Sequence, residues 1–569
     1  MGYDYELELK FPPPLRIECI KLFQECKEFE TPSDLRAFAR ITQLTLVVEC
    51  IPSQAQLKYP DLMLSLLRTR NKTTSEPVLF DLLDALADEY QEQARGTRFK
   101  ELKEEIRSAL LQAKGSEQEK EYLRLAEDSA PGDGRGTSEA ARRWIEEAGD
   151  NLDELALRIT LAVFHGTAFE VIERAKKELL EMLLELVPPP PPPDPENPPP
   201  VVPHVPLMRR LEKAGAREAE GKPPDWQRVV ELERPELAAE AIVYVWHLNR
   251  ETEWRKRLIE WLTNHAARRA AEVRIRAAVT VGRVAVKDYR FVRDRLLTDW
   301  VRKKDPQFRT AIGMALGVLV REDSLAEEVQ GLLREWAEST DGAKRWAAMR
   351  AYIYVGPYCQ PPGEAIARWR RMAASEPVAI DIPVSETEVV RLNNPLHMSL
   401  MDAVVKFFFN AAYRPEGERL SLFAGILAEL KEWVSSDEEN AWLGLFMFAT
   451  LGQLRVGAAG NGEGGGAPVL LQLVAEGPDE AGYRVQLAKF FEAAMRNGAT
   501  IIETQELLCA WLDWADKLQD DAQSYEGRIR TLFKEIIAAD GGGRMRGKLA
   551  ACLRDCGRNR VAQSILSTL

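Results

Sequence analysis

The sequence is poor in the residues that most chemistry needs. Histidine occurs five times in 569 residues, at 165, 204, 247, 265 and 397, and no His-Glu-x-x-His is formed. No Gly-x-Ser-x-Gly is present, so the turn that exposes a hydrolase serine is missing. The glycine-rich stretch 460–466 is not followed by Lys-Ser or Lys-Thr, and no other segment offers a phosphate loop, so an independent ATPase is not expected. Seven cysteines, scattered and odd in number, suit buried thiols of a reducing compartment better than a disulfide framework. Cys552 and Cys556 stand four apart on one helix face, but no His or further Cys completes a zinc set. No catalytic, cofactor-binding or metal-ligating residues are therefore assigned. There is no run of eighteen apolar residues, and the first ten residues alternate acidic and apolar. A cytoplasmic chain with no membrane-spanning helix and no secretory signal is expected.

What the sequence does have is helical periodicity. Between residues 15 and 111, Leu35, Phe38 and Ile41 share helical spacing after a cap at Thr31 or Ser33. Leu79, Leu82, Leu83 and Leu86 repeat the pattern behind Pro77. These residues predict a compact bundle of about six helices over 1–112. A helical segment follows over 113–187, with His165-Gly166 as a turn between packed helices. Residues 188–206 are mostly proline, which removes backbone donors and fixes φ, so they read as an extended spacer.

Beyond the spacer, over 207–569, the chain repeats itself. Leu296-Leu297 precedes Trp300, Leu332-Leu333 precedes Trp336, and Ile366 precedes Trp369, so the tryptophans fall 36 and 33 residues apart. Arg276, Arg309 and Arg345 keep the same register, and Gly282, Gly317 and Gly356 follow in the same units. Two helices in about 35 residues is the signature of a HEAT-like α-solenoid. Tryptophans beside leucine pairs belong in its core. The stretch 456–468 reads as a surface loop inserted in it.

The net charge of −13 argues against general coating of nucleic acid. It is uneven, however: residues 250–304 hold sixteen Lys or Arg against seven Asp or Glu. Arg255, Lys256, Arg257, Arg268, Arg269, Arg302, Lys303 and Lys304 form the expected basic face, one that suits nucleic acid or an acidic partner. The competing reading is a solvated face paired to local carboxylates.

Two resemblances add to this. LFQECKEFETPSDLRAFARI, ECIPSQAQLKYPDLMLSLLRTR and VLFDLLDALADEY resemble the bacterial effector-associated domains, small death-like bundles of conflict systems. Phe29, Ser33, Asp34, Leu35, Arg36, Phe38 and Pro52 carry that likeness, whereas Ser53 and Gln54 replace the family's glycines. ITLAVFHGTAFEVIERAKKELLEML, VVELERPELAAEAIVYVW and EVRIRAAVTVGRVAVKDYRFVRDRLLTDW, over about 159–369, resemble the C-terminal half of large actinobacterial-type proteins in which a STAND NTPase precedes the same segment. Here the NTPase is missing, and the helices around His165 resemble a remnant of its winged-helix end. The fold class expected is all-α: a small N-terminal death-like bundle, a Pro-rich linker and a HEAT-like α-solenoid. The resemblance implies a non-enzymatic adaptor of an anti-phage or regulated-cell-death system. Ser33, Asp34, Leu35, Arg36 and Phe38 would recruit an effector, such as a protease with a similar bundle. Two other readings stay open: a solenoid holding nucleic acid or an acidic partner on the basic face, and a substrate that a caspase-like or other protease cuts to release a signalling fragment.

Overall fold

The computed structural model describes residues 120–126, 135–187, 207–219, 228–248, 253–375 apart from 269, 379–383, 389–393, 395–436 and 440–456. It also describes 467–476, 480–497, 501–517, 522–540, 543–555, 559–567 and short stretches between 23 and 99. The described residues are 83% helical and 3% strand, so they are built on helix packing. The chain divides into two compact units, 1–118 with 218–230, and 119–217 with 231–569.

In the first unit, helix α1 (Pro32–Ile41) starts where its sequence says it should. Thr31 is the N-cap and accepts from the Asp34 amide at 3.2 Å, and Pro32 takes the first turn, where no donor is needed. Leu35 and Ala39 are fully buried, as are Leu79, Leu82, Leu83 and Leu86 of α2 (Val78–Glu89). With Phe23, stacked on Phe29 at 4.3 Å, they belong to one apolar core. Ile41, expected on the same apolar face, is instead 80% exposed at the end of α1.

The second unit begins with helical residues 120–126 (α3), followed by α4 (Arg135–Glu146) and α5 (Leu152–Phe164). Next come strand β1 (Thr167–Ala168), α6 (Phe169–Leu184) and α7 (Leu207–Lys213), then β2 (Ala216–Ala219) and β3 (Val229–Leu232), whose residues are divided between the two units. The strands join in the order β1-β3-β2. The expected boundary at the proline run needs correction. The run itself, 188–206, lies outside the described residues, but its two flanks pack together. Arg210 pairs with Asp153 and lies 3.6 Å from Glu154, and Trp144 donates to the Ala214 carbonyl at 2.9 Å. The run thus interrupts one packed unit instead of separating 113–187 from 207–569. A two-residue strand such as β1 has too few backbone bonds to hold without partners from beyond the run.

Helix pairs then succeed one another: α8 (Leu237–Leu248), α9 (Glu253–Ala266), α10 (Ala271–Val292), α11 (Thr298–Arg302), α12 (Pro306–Leu319), α13 (Asp323–Ala337), α14 (Gly342–Val355) and α15 (Glu364–Ala374). After an antiparallel hairpin, β4 (Ala379–Pro383) and β5 (Val389–Asn393), come α16 (Pro395–Ala412), α17 (Glu416–Ser436) and α18 (Ala441–Gln453). The hairpin is absent from the all-α expectation. Helices α10, α12, α14, α16 and α18 pack each on the next as one layer, and α9, α13, α15 and α17 lie behind them. Trp261, Trp300, Trp336 and Trp369 are buried between the layers' helices, where their repeat placed them. The repeated glycines mark close approaches. A β-carbon on Gly282 would meet Val318 and the Ala315 carbonyl, and one on Gly356 would meet Ala365 and Phe407. Strands β6 (Arg455–Val456) and β7 (Ala467–Pro468) pair at the base of the glycine-rich stretch. Helices α19 (Val469–Glu476), α20 (Glu480–Arg496), α21 (Ile501–Lys517), α22 (Ala522–Asp540), α23 (Arg544–Asp555) and α24 (Arg560–Leu566) complete the unit.

Candidate functional site

The five residues expected to recruit a partner do not share a surface. Leu35 is fully buried and Phe38 is 8% exposed, so both are core and are corrected as docking residues. Their helical spacing put them on one face, and that face is turned inward. Ser33 and Asp34 are exposed; Asp34 accepts from Thr31 Oγ1 at 2.6 Å, completing the cap. Arg36 is half-buried and reaches the Ile51 carbonyl at 3.5 Å. The outward side of α1 thus offers Ser33, Asp34 and the protruding Ile41.

The basic stretch resolves into ion pairs. Arg255 is 6% exposed, stacks over Trp246 at 4.1 Å and Phe291 at 3.7 Å, and pairs with Asp288. It is therefore corrected from surface cation to buried strut. Helix α10 leaves helical angles at Asp288, which also accepts from Trp246 Nε1 at 3.3 Å. Lys256 pairs with Glu253 at 2.6 Å, Arg257 with Glu185 at 2.6 Å, Arg268 with Glu178 at 2.6 Å, and Lys303 with Asp299 at 3.4 Å. Arg269 lies outside the described residues. Arg302 and Lys304 are exposed, and Arg302 lines a groove of about 390 Å³ with Arg293, Lys344, Asp294, Glu335 and Asp341. That groove balances three cations with three carboxylates. A second groove of about 570 Å³, between α6 and α9, is lined by Glu178, Glu181, Glu185 and Glu260 beside Arg257 and Arg268.

Sequence reasoning missed the seat of α3. Tyr122 is 1% exposed, donates to the Met314 carbonyl on α12 at 3.4 Å and meets Tyr354 of α14 edge-on at 4.6 Å. Gly317 makes the room, because a β-carbon there would collide with the Tyr122 phenol. Glu121 accepts from Arg276 of α10 at 2.7 Å, and Arg283 donates to the Leu125 carbonyl at 3.0 Å. No local pattern announces this: the partners lie 155 to 232 residues away. The only sequence hint was the register of Gly317 and Arg276 in the repeat.

The same seat borders His165-Gly166. Gly166 has φ 78°, and a β-carbon on it would press on the Arg276 guanidinium at 2.9 Å. Burial, then the charges of Arg276, Arg283 and Arg124, push the His165 imidazole down to about 3, so it is neutral near pH 7. Arg276 itself is 4% exposed, and burial pulls it below its ordinary value while Glu121 and Glu272 oppose that pull. Among the described residues its Nε and Nη1 have no hydrogen-bond partner. The three register arginines do different work: Arg276 holds Glu121, Arg309 stacks on Trp346 at 5.5 Å, and Arg345 reaches the Ser339 carbonyl at 3.3 Å.

Among the described residues no group of three or more His, Cys, Asp or Glu is placed to hold a metal ion, and no helix is long and apolar enough to cross a membrane. The sulfurs of Cys509 and Cys552 lie 3.8 Å apart; Cys556 lies outside the described residues. Compared with known protein families, with curated proteins and with solved structures, the chain matches none.

Proposed function

We propose that the protein is a non-enzymatic adaptor of a bacterial conflict system, in which a death-like bundle recruits an effector and a HEAT-like solenoid supplies a second binding platform. The observation that carries this reading is the division into two compact units, one a small helical body with its own core and the other a succession of stacked helix pairs. Stacked pairs bury a continuous core while leaving long grooves between neighbours, which favours binding. The order helix–strand–helix–helix–strand–strand over α5 to β3, with strands joined β1-β3-β2, supports the winged-helix likeness.

The recruiting surface of this reading is the exposed side of α1, with Ser33, Asp34 and Ile41. Full-length chain would be used as bait, beside a Ser33→Arg/Asp34→Arg variant. The reading expects an effector-bearing protein, retained by the first and lost by the second, with both baits melting alike. Retention by both removes α1 as the docking surface. Leu35→Asp is unsuited to this question, because it would place a carboxylate in the core and test folding.

A further inference from the structure

Helix α3 occupies the layer of α10, α12 and α14 as a short peptide would occupy a receptor. It is seven described residues long, and Glu121, Tyr122, Leu123, Leu125 and Ala126 supply its contacts or buried surface. The receptor side is specialised for this load. Gly317 is hollowed for the phenol, Tyr354 gives it an aromatic edge, and Arg276 and Arg283 take a carboxylate and a carbonyl. The fit is incomplete on one count. Arg276 offers two buried donor nitrogens, Nε and Nη1, that no acceptor among the described residues meets. Leaving such donors unmade costs more than the bonds already formed return, so a ligand with one further acceptor would gain where α3 does not.

We propose that this seat is a peptide-binding site, closed in cis by α3, and that it accepts from a partner protein a short amphipathic helix with a carboxylate, an aromatic ring and a leucine in the spacing of Glu121, Tyr122 and Leu125. It rests on the helix-stacked platform but not on recruitment by α1, so the two fail separately. Arg124 is the weak point of the cis occupant: it is salt-bridged to Glu121 at 3.0 Å and adds a third guanidinium to those acting on His165. A ligand with an acid at that position removes the competing cation and adds an acceptor beside the cluster.

The test uses a fluorescent peptide of residues 117–128 and the full chain. Against a Tyr122→Ala/Leu125→Ala chain the peptide should bind at least about tenfold more tightly than against the unaltered chain, whose own α3 competes. The same peptide with Arg124→Glu should bind more tightly still, and with Tyr122→Ala should not bind. A folded double variant that takes up no peptide overturns the proposal. Should the double variant lose its helical signal, amide exchange of the unaltered chain decides. Residues 120–126 should exchange at least about a hundredfold faster than α10, α12 and α14, through local opening. Exchange as slow as in those helices would make α3 a permanent part of the core and equally overturn the proposal. Pairing of two chains through swapped α3, seen as a concentration-dependent dimer of the unaltered protein that added peptide does not dissolve, would also count against a partner helix.

Discussion

Two regions of the second unit are rich in positive side chains, and they differ in what surrounds them. The stretch 250–304 has a large excess of Lys and Arg in the sequence, yet Arg255, Lys256, Arg257, Arg268 and Lys303 each meet a carboxylate. The seat of α3 draws Arg276 and Arg283 from that same stretch and adds Arg124 around His165, and there Arg276 Nε and Nη1 meet no acceptor among the described residues. The charge count thus covered these two arginines but did not separate them from the paired ones. Two partners of the basic stretch, Glu178 of α6 and Glu185 just past its end, come from across the proline run.

The comparison can be broken at its most buried points first. Asp288→Ala should strand Arg255 among Trp246 and Phe291 and cost about 3–5 kcal/mol in the stability of the second unit, measured by denaturant unfolding. A loss below about 1 kcal/mol would mean that Arg255 is solvated and the stretch is open after all. Gly317→Val should cost about 1–3 kcal/mol by overpacking, and it should abolish the protection of Tyr122 from solvent, read by its fluorescence or iodination. A neutral result would place the phenol elsewhere.

The histidines sharpen the comparison through pH. Burial and Arg268 push His265 down to about 4, although Glu178 lies 3.4 Å from its Nε2, and His165 falls to about 3. Both folded values lie below the ordinary 6.5. The unfolded chain therefore binds more protons in between, so stability is full above about pH 6.5 and is lost as pH falls. Each group contributes a slope of up to about 1.4 kcal/mol per pH unit. His165→Gln should remove one of the two contributions between pH 6 and pH 4 (about one proton fewer in the linkage slope). An unchanged slope would show that burial and the neighbouring cations do not hold His165 below its ordinary value. The smallest effect is expected from Lys256→Ala and Lys303→Ala, within about 0.5 kcal/mol each. A larger loss from either would restore the basic stretch as a structural feature.

The helical class was legible in the sequence because it rests on local spacing. Tryptophans beside leucine pairs are buried where the repeat put them, and Thr31 caps α1 as its side chain suggests. Sidedness was less legible. Leu35 and Phe38 have the helical spacing of core residues, and their burial removes them from the docking surface. The strands β4 and β5 and the pairing across the proline run were not legible, since each depends on a partner segment that no local pattern names. The seat of α3 needed contacts over more than 150 residues and was invisible for the same reason.

The packing of both flanks of the proline run has a consequence for how the molecule tolerates injury. Residues 135–187 and 207–217 are held together by Arg210 on Asp153 and Trp144 on Ala214, in addition to the peptide chain between them. A cut within 188–206 would convert an intramolecular fit into a two-piece complex instead of releasing a fragment. The run is accordingly the natural place to open the chain, whether for new termini, for an inserted reporter or for reassembling the protein from separately made halves.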